Sequence, residues 1–355
     1  MKILNLINQI LVKQVSFDKQ PHKLKNVLVV SNTGLGDTIL SSPAIKTLRK
    51  SFPDIKITFM INEMMYPLYK EFDYVDDFIL YRTGILNQLK IVHEIRQKKI
   101  DTIFLFHSNG PEDVFFSMLS GATNILKVTD NLNHPFKKIF LNQPNRKHQH
   151  IIETKIDLVR LYAPKIVDST MEIGYVPKIE KRGEQNQKII GLQVGTQDLY
   201  KIWPIEKFIR LAQELDKEGN VQFVLLGSTP LEKRYTDRFM KEVKSRNSII
   251  NVCCKTSITE LADTIKNLDL LITNDTGALH LAIALKVPTI SLFGPTDHKV
   301  YGPYQDIERH TVIQKDGFFV NNKPKKQRGQ EGIDLIEVKE VVDAYRQFEK
   351  KRHND

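Results

Sequence analysis

The sequence predicts an α/β protein built from two doubly wound, parallel-sheet halves facing each other across a cleft. Three observations predict it. Short, β-branched apolar runs alternate with helix-forming stretches along most of the chain. The alternation pauses once, in a Pro- and charge-rich stretch over 163–187, and then restarts. At 355 residues the chain is also long enough for two separate cores.

Composition narrows the function. The net charge of +10, from 52 Lys+Arg against 42 Asp+Glu, suggests an anionic partner. That charge is dispersed and lacks the clustered cations and stacking aromatics of a nucleic-acid module, so nucleic acid is not expected as a partner. The two cysteines, Cys253 and Cys254, are adjacent and fall in an expected strand over 249–254. Neighbours on a strand point to opposite faces, so neither a disulfide between them nor a multi-cysteine metal site is expected. Few cysteines and no secretory signal imply a cytoplasmic setting, and no apolar run reaches transmembrane length.

Residues 1–25 form an extension in which Ile3, Leu4, Ile7, Ile10, Leu11 and Val15 make a helical apolar stripe. Such a helix either docks on the body of the protein or lies on a membrane surface. The first half, 26–165, opens with a strand over 26–31, the loop Asn32–Asp37 ("NTGLGD") and a helix ending near Lys50. Gly34 and Gly36 let the backbone turn tightly and approach a ligand. The loop is neither a dinucleotide fingerprint nor a P-loop. Asp37 has two readings. It caps the helix, or, since Ser42-Pro43 is itself a good cap and first-turn pair, it sits in a loop as a general base.

Strands over 55–61, 78–81 and 102–106 follow, with a helix over 85–99. His107 follows a strand end and is read either as lining the cleft or as part of a turn. The basic stretch over 134–150 is read as a solvated surface or an acidic-substrate platform, and its histidines lack metal-ligand spacing. A helix over 151–161 closes this half, and 166–187 is the linker.

The second half, 188–330, has strands over 189–194, 221–226 and 249–254, with helices over 205–217, 230–244 and 257–267. Its most informative stretch is Leu268–Pro295, "LDLLITNDTGALHLAIALKVPTISLFGP": strand, loop, helix, strand. A crossover this short leaves a loop at the strand's C-terminal end, where open α/β sheets bind ligands and a helix N-terminus favours anions. The plain alternative is an ordinary capped crossover with Asp275 or Thr276 as N-cap and His280 a half-buried helix residue. A basic loop over 321–329 and a C-terminal helical segment, 331–355, complete the chain.

Three motifs in order carry a resemblance. "NVLVVSNTGLGDTILSSPAIKTLRKSFP", "VGTQDLYKIWP" and "TNDTGALHLAIALKVPTISLFGPTD" resemble the signatures of family 9 glycosyltransferases, the lipopolysaccharide heptosyltransferase group. The likeness is collinear from Asn26 to about Phe348. It implies a GT-B fold of two Rossmann-like domains, an N-terminal one for the acceptor and a C-terminal one for the nucleotide sugar. It also implies inverting sugar transfer without a metal or cofactor, from a nucleotide-diphosphate sugar such as ADP-heptose to an anionic glycolipid acceptor. By the same resemblance Asp37 is the base. Lys201, Thr196 and the N–H groups of Thr276, Gly277 and Ala278 hold the diphosphate. Asp275 suits donor-sugar hydroxyls, His280 the same ligand, Glu232 the ribose and Thr256 the nucleobase pocket. The setting implied is the cytoplasm, with peripheral contact on the cytoplasmic face of the inner membrane. A sugar-nucleotide epimerase of the same fold is the rival, distinguished by an epimer formed from donor alone.

Overall fold

The structure is a computed structural model that describes residues 23–107, 112–127, 149–179, 187–244, 248–315 and 332–354. The N-terminal stripe over 3–15, the basic stretch over 134–148 and the basic loop over 321–329 lie outside the described residues. The chain divides into two compact units between Tyr175 and Val176. That division falls inside the expected linker.

The first unit runs β1 (Asn26–Ser31), α1 (Leu35–Ile39), α2 (Ser42–Ser51), β2 (Lys56–Asn62), α3 (Tyr66–Tyr69), β3 (Asp77–Tyr81), α4 (Ile85–Gln97), β4 (Thr102–His107), α5 (Glu112–Leu119), β5 (Asn124–Lys127) and α6 (Ile151–Arg160). Its five strands are parallel in the order β3-β2-β1-β4-β5. Near-continuous apolar runs explain this, since β1, β2 and β4 bury both faces under helices.

The second unit runs β6 (Lys188–Gln193), a 3₁₀ turn (Leu199–Lys201), α7 (Ile205–Leu215), β7 (Val221–Leu225), α8 (Pro230–Glu242), β8 (Ile249–Asn251), α9 (Ile258–Lys266), β9 (Leu270–Asn274), α10 (Gly277–Ala284), β10 (Thr289–Phe293), α11 (His298–Tyr301), β11 (His310–Gln314) and α12 (Val338–Asn354). Six parallel strands lie in the order β11-β10-β9-β6-β7-β8. The C-terminal helix α12 belongs to this unit, adding Val338, Val341, Val342 and Tyr345 to the core that holds Trp203 and Phe208. Among the described residues no helix is long and apolar enough to cross a membrane.

Both sheets reverse strand order at one point, between β1 and β4 and again between β6 and β9. Ligands of open parallel sheets bind beyond the strand C-termini at such a point. The sequence motifs fall there: the Asp37 segment follows β1, the Lys201 segment follows β6, and Asp275 follows β9.

Four expectations need correction. Asp37 is neither a loop residue nor a cap, but lies in the first turn of the short helix α1, whose N-cap is Gly34. The cap of α2 is Ser41, with Ser42 already helical. The tight-turn argument for the loop glycines also fails. Gly34 is extended at φ −81°, and neither it nor Gly36 takes a left-handed φ. Last, β8 ends at Asn251, not at the cysteines. The Asn251 side chain accepts the Cys253 N–H at 3.0 Å and starts a turn instead of continuing the ladder.

Candidate functional site

In the first unit the reversal point gathers around Asp37. Its Oδ2 accepts a hydrogen bond from Thr33 Oγ1 at 3.1 Å and lies 3.3 Å from His107 Nε2. Its Oδ1 takes no hydrogen bond from the described residues, and the side chain is 33% exposed. A bulge brings His107 there. Val30 pairs with Leu105 but Ser31 pairs with His107, so β4 carries one extra residue at its end. Bulges of this kind re-aim a side chain beside a site.

The main chain of Asp37 is gripped from below. Lys155 Nζ, on α6 and fully buried, donates to the Asp37 carbonyl at 3.1 Å and to Ser41 Oγ at 2.9 Å. Ser41 Oγ lies 2.8 Å from the same carbonyl and 3.0 Å from Ser31 Oγ. The carboxylate therefore has a fixed base and a half-open tip. Sequence reasoning missed Lys155, although a signal was present. In "IIETKIDLV" it sits among Ile152, Ile156 and Val159 on the buried stripe of a helix, where a lysine needs a polar reason.

In the second unit Lys201 Nζ pairs with Asp275 Oδ2 at 2.6 Å. The carboxylate is 6% exposed and the lysine 19%. Burial draws the Lys201 ammonium down, but the Asp275 charge and hydrogen bond outweigh it and leave the group above its ordinary value. The N-cap of α10 is Thr276, with no side-chain cap bond, so Asp275 is not spent on capping. Gly277 and Ala278 open the helix and His280 is buried one turn in.

Two further residues hold this pair in place. Asn274 is fully buried; its Oδ1 accepts the Trp203 N–H at 3.0 Å and its Nδ2 donates to the Gln193 carbonyl at 2.9 Å. It thus ties the end of β6 to the segment carrying Lys201. Trp203 is buried too, edge-on to Phe208 at 4.8 Å, with Nε1 donating to the Ile336 carbonyl. The tryptophan of the motif is an anchor, since a fully buried side chain of this size contributes about 1.5–3 kcal/mol. Sequence reasoning did not single out Asn274.

The remaining candidates sit on neighbouring strand ends. Thr196 Oγ1 accepts the Asp198 N–H at 3.0 Å. Glu232 is built into the capping box of α8: Oε2 accepts the N–H groups of Ser228 and Thr229 at 2.9 Å, and Oε1 accepts Gln193 Nε2 at 2.8 Å. Gly195 packs so closely on it that a Cβ there would lie 3.0 Å from the Glu232 Cα. Thr256 is half-buried after β8, just before the α9 N-cap Ser257. Direct contact joins Lys201 with Asp275, whereas Glu232 lies in the first turn of α8, after β7, and Thr256 in the turn after β8.

Comparison with known proteins shows the family and the fold. The family model for glycosyltransferase family 9 (heptosyltransferase) matches residues 130–327. Lipooligosaccharide heptosyltransferase 2 of Campylobacter jejuni is 27% identical over 278 residues, covering 77% of this chain and 82% of the relative. Among solved structures, a family 9 glycosyl transferase from Veillonella parvula superposes with a TM-score of 0.78 at 24% identity, covering 93% of this chain and 98% of that one. The E. coli ADP-heptose lps heptosyltransferase II gives a TM-score of 0.70 at 18% identity, covering 92% and 99%. The fold is GT-B. With more than half its length matched by the family model, this chain belongs to glycosyltransferase family 9 and is a glycosyltransferase.

Proposed function

We propose that the protein transfers a heptose from ADP-heptose to a sugar of a lipopolysaccharide core, with inversion and without a metal. The observation that carries this reading is the Lys201–Asp275 pair before the N-terminus of α10, a cation and a carboxylate beyond the strand C-termini, where open parallel sheets bind ligands. The names of the relatives support the choice of sugar and nucleotide: the Campylobacter protein is a heptosyltransferase and the E. coli structure is named for ADP-heptose.

Each residue then has a task. Asp37 Oδ1 accepts the proton of the acceptor hydroxyl as its oxygen attacks the anomeric carbon. Thr33 and His107, both on Oδ2, hold the carboxylate in orientation. As the bond to the diphosphate breaks, Lys201, the Thr196 hydroxyl and the N–H groups of Thr276, Gly277 and Ala278 take up the growing charge. Asp275 holds donor-sugar hydroxyls and His280 lies one turn along the same helix. Glu232 contacts the ribose through the Oε1 lone pair left beside Gln193, and Thr256 borders the nucleobase. The net charge of +10 suits an anionic glycolipid acceptor and peripheral contact with the membrane that carries it.

A mass-spectrometric screen of nucleotide sugars against a truncated lipopolysaccharide acceptor, with and without EDTA, tests this. ADP-heptose should add one heptose to the acceptor, undiminished by chelation. Turnover of another nucleotide sugar alone, an epimer from donor alone, or loss with EDTA restored by Mg²⁺ would each overturn the corresponding part.

A further inference from the structure

The turn after β8 carries a feature that sugar transfer does not use. Cys253 and Cys254 are both free, and their sulfurs lie 3.7 Å apart. Adjacent residues on a strand would hold their side chains on opposite faces. Here Cys254 adopts φ +59°, which breaks the alternation and brings both sulfurs to one side. A left-handed φ is uncommon outside glycine, so the surrounding bonds must enforce it. They are present: Cys254 N–H to the Gly227 carbonyl at 2.9 Å, Cys253 N–H to Asn251 Oδ1 at 3.0 Å, and Lys255 N–H to the Val252 carbonyl at 3.0 Å. Gly227 is needed there, because a Cβ on it would lie 2.6 Å from Cys253 Sγ.

The spacing, a thiol–thiol contact in the free protein, also suits one bridging atom. A direct disulfide requires sulfurs at about 2.05 Å, and residues adjacent in sequence reach that only with strain. One atom bonded to two sulfurs at about 2.3 Å holds them roughly 3.3 Å apart at a right angle and about 3.8 Å apart at the tetrahedral angle. The observed 3.7 Å falls in that interval.

We propose that Cys253 and Cys254 form a two-sulfur site for a thiophilic electrophile that takes two thiolates on a single atom, with monosubstituted trivalent arsenicals as the class. The step conserves oxidation state. Two S–H bonds and the arsenic–oxo bond break, two As–S bonds form, and the oxygen leaves as water with both thiol protons. The sulfur of the exposed Cys254 attacks arsenic first and the buried Cys253 closes the chelate. Burial pushes the Cys253 thiol up to about 11, so on its own it is a poor entry point. The site lies beside the α8 capping box, since Cys254 Sγ donates to the Thr229 carbonyl at 3.4 Å.

These are the only cysteines in the chain, so every thiol adduct reports on this site. The test treats the native full-length protein with phenylarsine oxide, follows intact mass, and challenges the adduct with rising monothiol. The wild type should carry one phenylarsenic per chain and release it to a small dithiol. Because the second sulfur binds intramolecularly, it should require about 10²-fold or more monothiol to be stripped than Cys254→Ser does. Cys253→Ser should resemble Cys254→Ser, and if that buried change unfolds the protein, the exposed Cys254→Ser still decides. No adduct on the wild type, or an adduct stripped at the same monothiol concentration as in Cys254→Ser, overturns the proposal.

Discussion

The reversal points of the two sheets make an instructive pair. Each places one aspartate beyond the strand C-termini, Asp37 after β1 and Asp275 after β9. Asp37 is one-third exposed, beside an imidazole and a hydroxyl that both address Oδ2. Asp275 is nearly buried and salt-bridged to an ammonium at 2.6 Å. The fold supplies the same location twice, and the neighbours decide the chemistry. A carboxylate with an open oxygen can accept a proton, whereas a buried one joined to a half-buried lysine forms a dipolar unit suited to holding polar ligand groups.

The largest effect expected from breaking this contrast lies at Lys201. Lys201→Ala leaves Asp275 buried without its cation, which costs about 3–5 kcal/mol when such a pair is broken on one side. It should also weaken both donor and free ADP, by roughly ten- to a hundred-fold for a lost charge-assisted contact. Asp275→Ala should separate the two ligands, since it frees the Lys201 ammonium for phosphate while removing a sugar contact. ADP should then bind as well or slightly better and donor more weakly. Calorimetric titrations and thermal melts of both variants measure this, and equal losses for donor and ADP in Asp275→Ala would remove the sugar contact from the account.

A smaller effect is expected at His107. If it orients Asp37, His107→Ala should lower kcat by about ten- to a hundred-fold while leaving donor affinity alone, and His107→Gln, which keeps an N–H, should recover part of the loss. A kcat unchanged by both variants would leave Asp37 oriented by Thr33 and its main-chain contacts.

The smallest effect is a pH dependence. The folded pKa of Lys201 lies above its ordinary 10.5, held there by Asp275 against burial. The stability from this pair is therefore fully present below pH 10.5 and is lost as the pH rises through the folded value. Alkaline melts of the wild type should converge on those of Lys201→Met, and melts that keep a constant separation would mean that the pair is not titrating there.

Much of this arrangement was legible in the sequence, and the gaps have physical causes. Central strands such as β1, β9 and β10 announce themselves because both faces are buried and the apolar run is continuous. β5 and β11 went unread. They are edge strands of four and five residues, and only one residue of β11 is fully buried. Helix α5 also went unread. Among the site residues, Asp37, Lys201 and Asp275 were readable because each stands in a motif at a strand end. Asn274 and Lys155 were not, because their work is to bond main-chain groups distant in sequence, 71 residues for Asn274 to Trp203 and 118 for Lys155 to Asp37. The cysteine turn was misread since Val252 and both cysteines are themselves strand-compatible, and the break came from one side chain, Asn251.

The central claim is that the first reversal point performs the proton transfer and the second holds the donor. It is tested most directly by measuring single-turnover rate and donor affinity together in Asp37→Asn. The account predicts a folded variant that binds donor like the wild type and turns over at least ~100-fold more slowly. A folded Asp37→Asn with normal turnover, or one that loses donor affinity while keeping its rate, would contradict it.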